Sequence, residues 1–116
     1  MMQRTLAAAT AVLLTAVGTG GVIAPKLSAG QFGIPTADPA GLAFVRAAAA
    51  RDIILGAIVF GSLGDVKTLR RVLGWTSLVG LGDAVLLASL RGLRPQHVLH
   101  AGGFAAVALL ALSMDA

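Results

Sequence analysis

The stretch AAAARDIILGAIVFGSLGD, residues 47–65, decides how the rest of the chain reads. Alanine, isoleucine, leucine and valine fill it and small glycine steps interrupt it, the composition of a membrane span. Yet Arg51 and Asp52 stand side by side within it. A charge at the centre of a bilayer costs at least about 2.5 kcal/mol, so each must find a partner or water. The stretch therefore predicts a span whose charges meet polar groups brought by other spans.

The remaining sequence supports lipid as the solvent. Hydrophobic residues make up 57% of the 116-residue chain and charged residues 12%, where a soluble domain carries about a quarter charged residues. The length predicts a single membrane domain, residues 1–116. The net charge of +4 comes from nine Lys and Arg residues scattered between apolar runs, which is how membrane-flanking anchors are distributed. With one Trp, four Phe and no Tyr the chain has no stacking platform for bases, so nucleic acid is not an expected partner. The lack of Cys excludes disulfides, thiolate nucleophiles and thiolate-bound metals.

A hydrocarbon core of about 30 Å takes roughly 20 helical residues, and four segments qualify. The first, residues 5–24, carries no charge. Arg4 before it and Val22-Ile23-Ala24 at its end imitate a signal peptide, but Pro25 would then open the mature chain and the apolar run is long. A retained anchor is expected. The other spans cover about 42–63, 72–90 and 97–113. Residues 25–41, with three prolines, read as a loop, DVKTLRR (65–71) as a short hydrophilic connection and RGLRPQ (91–96) as a tight turn. Gly18, Gly21, Ala48, Gly56, Gly80, Gly102 and Gly103 permit close helix contact. Together these features predict an all-α fold, a transmembrane up-and-down four-helix bundle with both termini on one side. The positive-inside rule barely discriminates the sides, with the compact 67–71 cluster favouring a cytoplasmic location for its own end and a bacterial cytoplasmic (inner) membrane as the site. Trp75 reads as an interfacial belt residue and Arg70 and Arg71 as topology anchors.

Counting about 1.5 Å per residue puts Arg51 and Asp52 roughly 14 Å below the bundle end formed by 25–41 and 91–96. Asp83 lies about 10 Å below the same end. His97 and His100 open the fourth span there, and Arg46 sits one turn into the second. The ionisable residues thus come from three helices and share one half of the bundle, and the other half of the spans has none. Asp52 shares a face with Ala48 and Gly56, Thr76 and Gly80 share a stripe with Asp83, and His97 and His100 share a face with Ala101 and Phe104. A natural constellation has Arg51 neutralising Asp83 or Asp52, with a histidine nearby.

Two readings of that cluster stand. In one, Arg51, Asp52 and Asp83 form an ion-pair lock that fixes helix register. In the other they border a pocket for a lipophilic small molecule, with Asp83 or Asp52 as acid or base and His100, one turn deeper than His97, as proton shuttle. Arg51, Arg46, His97 and Thr76 would then bind the ligand. The chemistry expected is cofactor-free acid–base work on a lipid-like substrate: isomerisation, cyclisation or hydration. The chain has no Glu and both histidines lie at the interface, so no metal site is expected. The non-catalytic alternative is a membrane subunit, scaffold or permeation unit. Four spans enclose too little volume for an alternating-access carrier, so permeation would require a homo-oligomer. There is no phosphate-cradling loop, nucleophile elbow or dinucleotide fingerprint.

FVRAAAARDIILGAIVF, RRVLGWTSLVGLGDAVLL and HVLHAGGFAAVALLAL together resemble the small integral membrane proteins of bacteria and fungi grouped as domain of unknown function 4267. The matching positions are Arg51, Asp52 and Gly56 in the second span, and Arg71, Leu73, Gly74 and Trp75 opening the third. Gly82, Asp83 and Ala84 follow later in that span, and His97 or His100 stands near the start of the fourth. FGIP, residues 32–35, resembles the family's first loop. One departure is Ala48-Ala49-Ala50, where a glycine often precedes the Arg-Asp pair. The resemblance covers the chain from about residue 30 onward. It implies a four-helix membrane architecture, no established activity, and a polar cluster shared across the family.

Overall fold

A computed structural model describes residues 2–31, 39–91 and 95–114. Every element among them is helical: α1 (Met2–Ile23), α2 (Pro25–Gln31), α3 (Pro39–Gly61), α4 (Val66–Arg91) and α5 (Pro95–Ser113). Three of the five open on proline, whose fixed φ suits the first helical turn and whose missing N–H would have had no partner there. Pro25 and Pro39 therefore start helices in the segment expected to be a loop, and α2 is an element the sequence reading lacks. FGIP lies outside the described residues.

The larger correction concerns DVKTLRR, which is the beginning of α4 and not a connection. Asp65 caps the helix: its Oδ1 accepts the Lys67 N–H at 3.2 Å and its Oδ2 accepts the Thr68 hydroxyl. Thr68 is the main reason the Asp65 carboxyl is held below its ordinary range, with the Lys67 and Thr68 amides adding to it. The backbone bond from Leu69 N–H to the Asp65 carbonyl, 2.9 Å, closes the first turn. The link from α3 to α4 shrinks to a tight turn, in which Ser62 N–H bonds the Val59 carbonyl and Asp65 N–H the Ser62 carbonyl.

Buried positions on α1 are Ala7, Ala11, Leu14, Gly18 and Gly21, and on α3 Val45, Ala49, Asp52, Gly56 and Val59. Both follow the alternating four–three spacing of a coiled-coil seam. The seams meet antiparallel: a Cβ added at Gly21 or Gly18 would lie 2.6 Å from Ala49 atoms, and one at Gly56 would lie 2.5 Å from Thr15 Oγ1 and 2.9 Å from the Ala11 carbonyl. Glycine here permits backbone approach that no larger residue allows. α4 and α5 form the second intimate pair, with the Phe104 ring in the space a Gly80 side chain would occupy. Contact between the two pairs is much sparser. At one end the Gln3 side-chain amide donates to the Ser113 carbonyl at 2.9 Å, so the start of α1 and the end of α5 meet.

The principal extents are 45 × 26 × 17 Å. Two helical segments, Met2–Ile23 and Val66–Ser89, are long and apolar enough to cross a membrane. α3 carries Arg46, Arg51 and Asp52, and the apolar part of α5 is the shorter Val98–Ser113. Large apolar side chains face outward on all four long helices, among them Leu13, Phe60, Val85 and Leu109. The hydroxyls of Thr10, Thr15 and Thr19 on α1 each donate to a carbonyl one turn back, which leaves that helix no unpaired hydroxyl among these to present to an apolar solvent.

Two apolar clusters build the interior. The larger, at the end where Gln3 meets Ser113, joins Ala7, Ala11, Val59, Leu69, Leu73 and Ala111 from α1, α3, α4 and α5. The smaller joins Ala29, Val45 and Leu87 at the opposite end. Along α3 the charged residues 51 and 52 fall between Val45 and Val59, and along α4 Asp83 falls between Leu73 and Leu87. The charges therefore form a layer with apolar packing on both sides. At the end expected to hold the polar half, α2 brings Ala29 against Val45 and Leu87.

Candidate functional site

The charged layer begins with Arg51, whose guanidinium grips Asp83 with both terminal nitrogens: Nη1 donates to Oδ1 at 3.3 Å and Nη2 to Oδ2. A two-point grip of this kind fixes orientation as well as distance. Nη2 also stands 3.5 Å from Asp52 Oδ1. One cation on α3 thus serves a carboxylate on α4 and the next residue of its own helix. The Arg51 side chain keeps 35% of its surface exposed, and those of Asp83 and Asp52 keep 17% and 12%.

Asp52 differs from Asp83 in what it faces. Its Oδ1 is buried and makes no hydrogen bond, and the residue borders a cavity of about 560 Å³ between α1 and α5. The walls are aliphatic, with Leu13, Leu14 and Val17 on the α1 side and Val107 and Leu110 on the α5 side. His100 joins Asp52 in the lining, and Thr10, whose hydroxyl is taken up by the Leu6 carbonyl, is the other polar side chain there. The His100 ring is tilted 60° against Phe104 with centroids 4.9 Å apart. Gly80 admits Phe104 and Phe104 braces His100, so a glycine on α4 positions an imidazole on α5.

The other predicted residues are placed differently. Arg46 is exposed on α3 and lines none of the cavities. Thr76 is fully buried in the α4 seam, and its hydroxyl has no hydrogen-bond partner among the described residues. It too lies outside the lining of the α1–α5 cavity. His97 belongs to α5, and its side chain lies outside the described residues. Among the described residues, no three His, Asp or Glu side chains group closely enough to hold a metal ion.

The sequence reading missed the whole α1 wall of the cavity. That helix carries no charge from Thr5 to Ala24, so nothing in it marks a ligand-facing side. Phe104 is on the His100 face in the sequence reading too, and what that reading lacks is its seat against Gly80 of α4.

No curated protein and no solved structure matches the chain. A family model described as domain of unknown function (DUF4267) matches residues 11–114, so the match takes in most of α1, well before the residue-30 start read from the motifs. It spans Arg51, Asp52, Asp83 and His100, and the chain belongs to that family.

Proposed function

We propose that the chain is an integral membrane protein in which α1, α3, α4 and α5 cross the bilayer as an up-and-down four-helix bundle, and that the α1–α5 cavity binds a lipophilic small molecule. The outward aliphatic faces and the 45 Å long axis support the membrane reading, since a bilayer with its headgroups measures about 40–45 Å. Both termini then lie on one side, and the cations at residues 67–71 favour the cytoplasmic side for them, in a bacterial inner membrane.

One observation carries the ligand reading: a cavity of ligand size, aliphatic along its walls, with Asp52 and His100 in its lining. A ligand hydroxyl or amine would hydrogen-bond to these polar groups, and the aliphatic walls would take its hydrocarbon body. Any reaction in this setting is proton transfer without a cofactor, as in isomerisation, cyclisation or hydration. Asp52 would exchange the proton with the ligand, His100 would relay it, and Arg51 would set the basicity of the carboxylate.

A second reading applies to Asp83 and is favoured by its two-point grip. Both of its oxygens accept from Arg51, and the contact crosses from α3 to α4, joining two helix pairs that otherwise touch sparsely. The Arg51–Asp83 pair acts as a register lock, and Asp52 with His100 carries the ligand chemistry. If the cavity holds no ligand, the lock remains and the protein is a non-catalytic membrane subunit.

The test is photolabelling of the full-length, detergent-solubilised chain with a long-chain alcohol bearing an alkyl diazirine. Label is expected on the α1 and α5 walls. Gly103→Phe should abolish it there, because Gly103 borders the cavity and a Cβ added to it meets nothing within 4 Å. Asp52→Leu should weaken it by removing the acceptor for the alcohol. Label spread evenly over the outward faces, and indifferent to Gly103→Phe, would refute the ligand site.

A further inference from the structure

A second concavity lies on the outer side of the α4–α5 pair, toward the end where Gln3 meets Ser113. One stripe of α4 supplies Lys67, Arg70, Arg71, Trp75 and Leu78, and Leu112 of α5 faces it. The chemistry changes along the stripe. Three exposed cations occupy the first turns of α4, an exposed indole comes next, and exposed leucines follow. From Lys67 to Leu78 the stripe runs roughly 16 Å. Gly74 lies in its floor, where an added Cβ would meet nothing within 4 Å. The groove is open because that side chain is missing.

The charges are placed against the helix's own field. The first turn of a helix carries a partial positive charge, so cations there are unfavourable unless an anion offsets them. α4 has no acidic residue in its first turn. The cap, Asp65, is already engaged by Lys67 N–H and the Thr68 hydroxyl. Among the described residues no carboxylate is within ion-pair distance of Lys67, Arg70 or Arg71. The site thus presents three cations beside an indole suited to the headgroup layer, above an apolar track that descends toward the bilayer core.

We infer that this groove binds one anionic phospholipid, with its phosphate held by Lys67, Arg70 and Arg71 and the start of an acyl chain running past Trp75 and over Gly74 toward Leu78 and Leu112. The inference rests on the membrane reading above and is independent of the α1–α5 cavity. Each cation near an anionic lipid surface contributes about 1 kcal/mol, a factor of about 5, so removing all three should weaken the preference by about 100-fold.

Native mass spectrometry of the full-length chain in detergent tests this, with phosphatidylglycerol, phosphatidylcholine and inorganic phosphate as separate probes. The expected result is retention of phosphatidylglycerol over phosphatidylcholine, weakened by salt, with inorganic phosphate a poor competitor. Lys67→Gln/Arg70→Gln/Arg71→Gln should lose the preference, and Gly74→Leu should lose it with every charge kept, because the new side chain fills the groove. Inorganic phosphate displacing the lipid at equal concentration would identify a plain anion site and overturn the inference. A preference that survives both variants would overturn it too, by putting the lipid elsewhere. A chain that fractionates with the membrane but shows no preference overturns the lipid site alone. A chain soluble without detergent overturns the membrane reading and the site with it.

Discussion

Replacing Arg51 by Met, Asp83 by Leu, and then both, measures what joins the two helix pairs. Breaking one side of a fully buried ion pair costs about 3–5 kcal/mol. Here the Arg51 side chain is 35% exposed, and solvent screening lowers the figure. Arg51→Met strands Asp83 and Asp52 in the same layer without their shared cation, and should cost about 2–3 kcal/mol. Asp83→Leu should cost less, about 1–2 kcal/mol, because Asp52 Oδ1 still stands 3.5 Å from the guanidinium. If the costs added, the double variant would lose about 3–5 kcal/mol. It instead removes both members of the grip and adds apolar contact between α3 and α4, so it should cost no more than Arg51→Met alone. The resulting coupling is about 1–2 kcal/mol. Reversible unfolding in mixed dodecyl maltoside–SDS micelles reads all four proteins. Single costs that sum to the double within about 0.5 kcal/mol would refute the lock, and so would a costlier Asp83→Leu than Arg51→Met.

Three further outcomes follow from the packing. Gly80→Ala should destabilise by about 1–3 kcal/mol, the range for overpacking, because its Cβ would overlap the Phe104 ring. Adding Phe104→Leu should recover most of that loss in the same unfolding assay while releasing His100 from its brace. Gly56→Ala should cost a similar amount, about 1–3 kcal/mol, but Thr15→Ala should rescue it poorly, since the Ala11 carbonyl would still lie 2.9 Å from the new Cβ. Full rescue would show that α1 and α3 can separate more freely than their seam implies. Asp65→Ala should fray the start of α4, read as faster hydrogen exchange at the Lys67 and Thr68 amides. The Asp65 carboxyl is held below its ordinary range, chiefly by Thr68. Its capping is therefore complete above the ordinary Asp range and is lost only as pH falls through the depressed folded value. Protection of those amides, relative to their intrinsic exchange at each pH, that is lost already as pH falls to about 6 in the unaltered protein would contradict the cap.

The long helices were legible because each is a nearly unbroken apolar run, and hydropathy reports that directly. The charged layer was legible because Arg51, Asp52, Asp83 and His100 are conspicuous against such a background. The beginning of α4 was not, since its cations look like a connection until Asp65 is recognised as a cap that closes its first turn. Neither was the packing of Ala29 against Val45 and Leu87, which depends on a seven-residue helix in a proline-rich segment. Helix pairing was the deepest omission. α3 is apolar on almost every side, so its sequence does not say which face meets α1. Gly18, Gly21 and Gly56 mark contact faces in the sequence, but only the structure shows that those faces meet each other. The cavity wall on α1 and the Gly80–Phe104–His100 relay follow from those pairings and could not be read before them.

The separation into an α1–α3 pair and an α4–α5 pair also bears on how the protein is made. Each pair consists of helices that follow one another closely along the chain, so each can complete its own seam while the other is still absent. Docking of the halves then comes last, and the Arg51–Asp83 grip forms at that step. A chain severed in the turn at Gly64 would divide the molecule without cutting either seam. Its two fragments, synthesised together, would have to find each other through the apolar cluster they share and the Arg51–Asp83 grip.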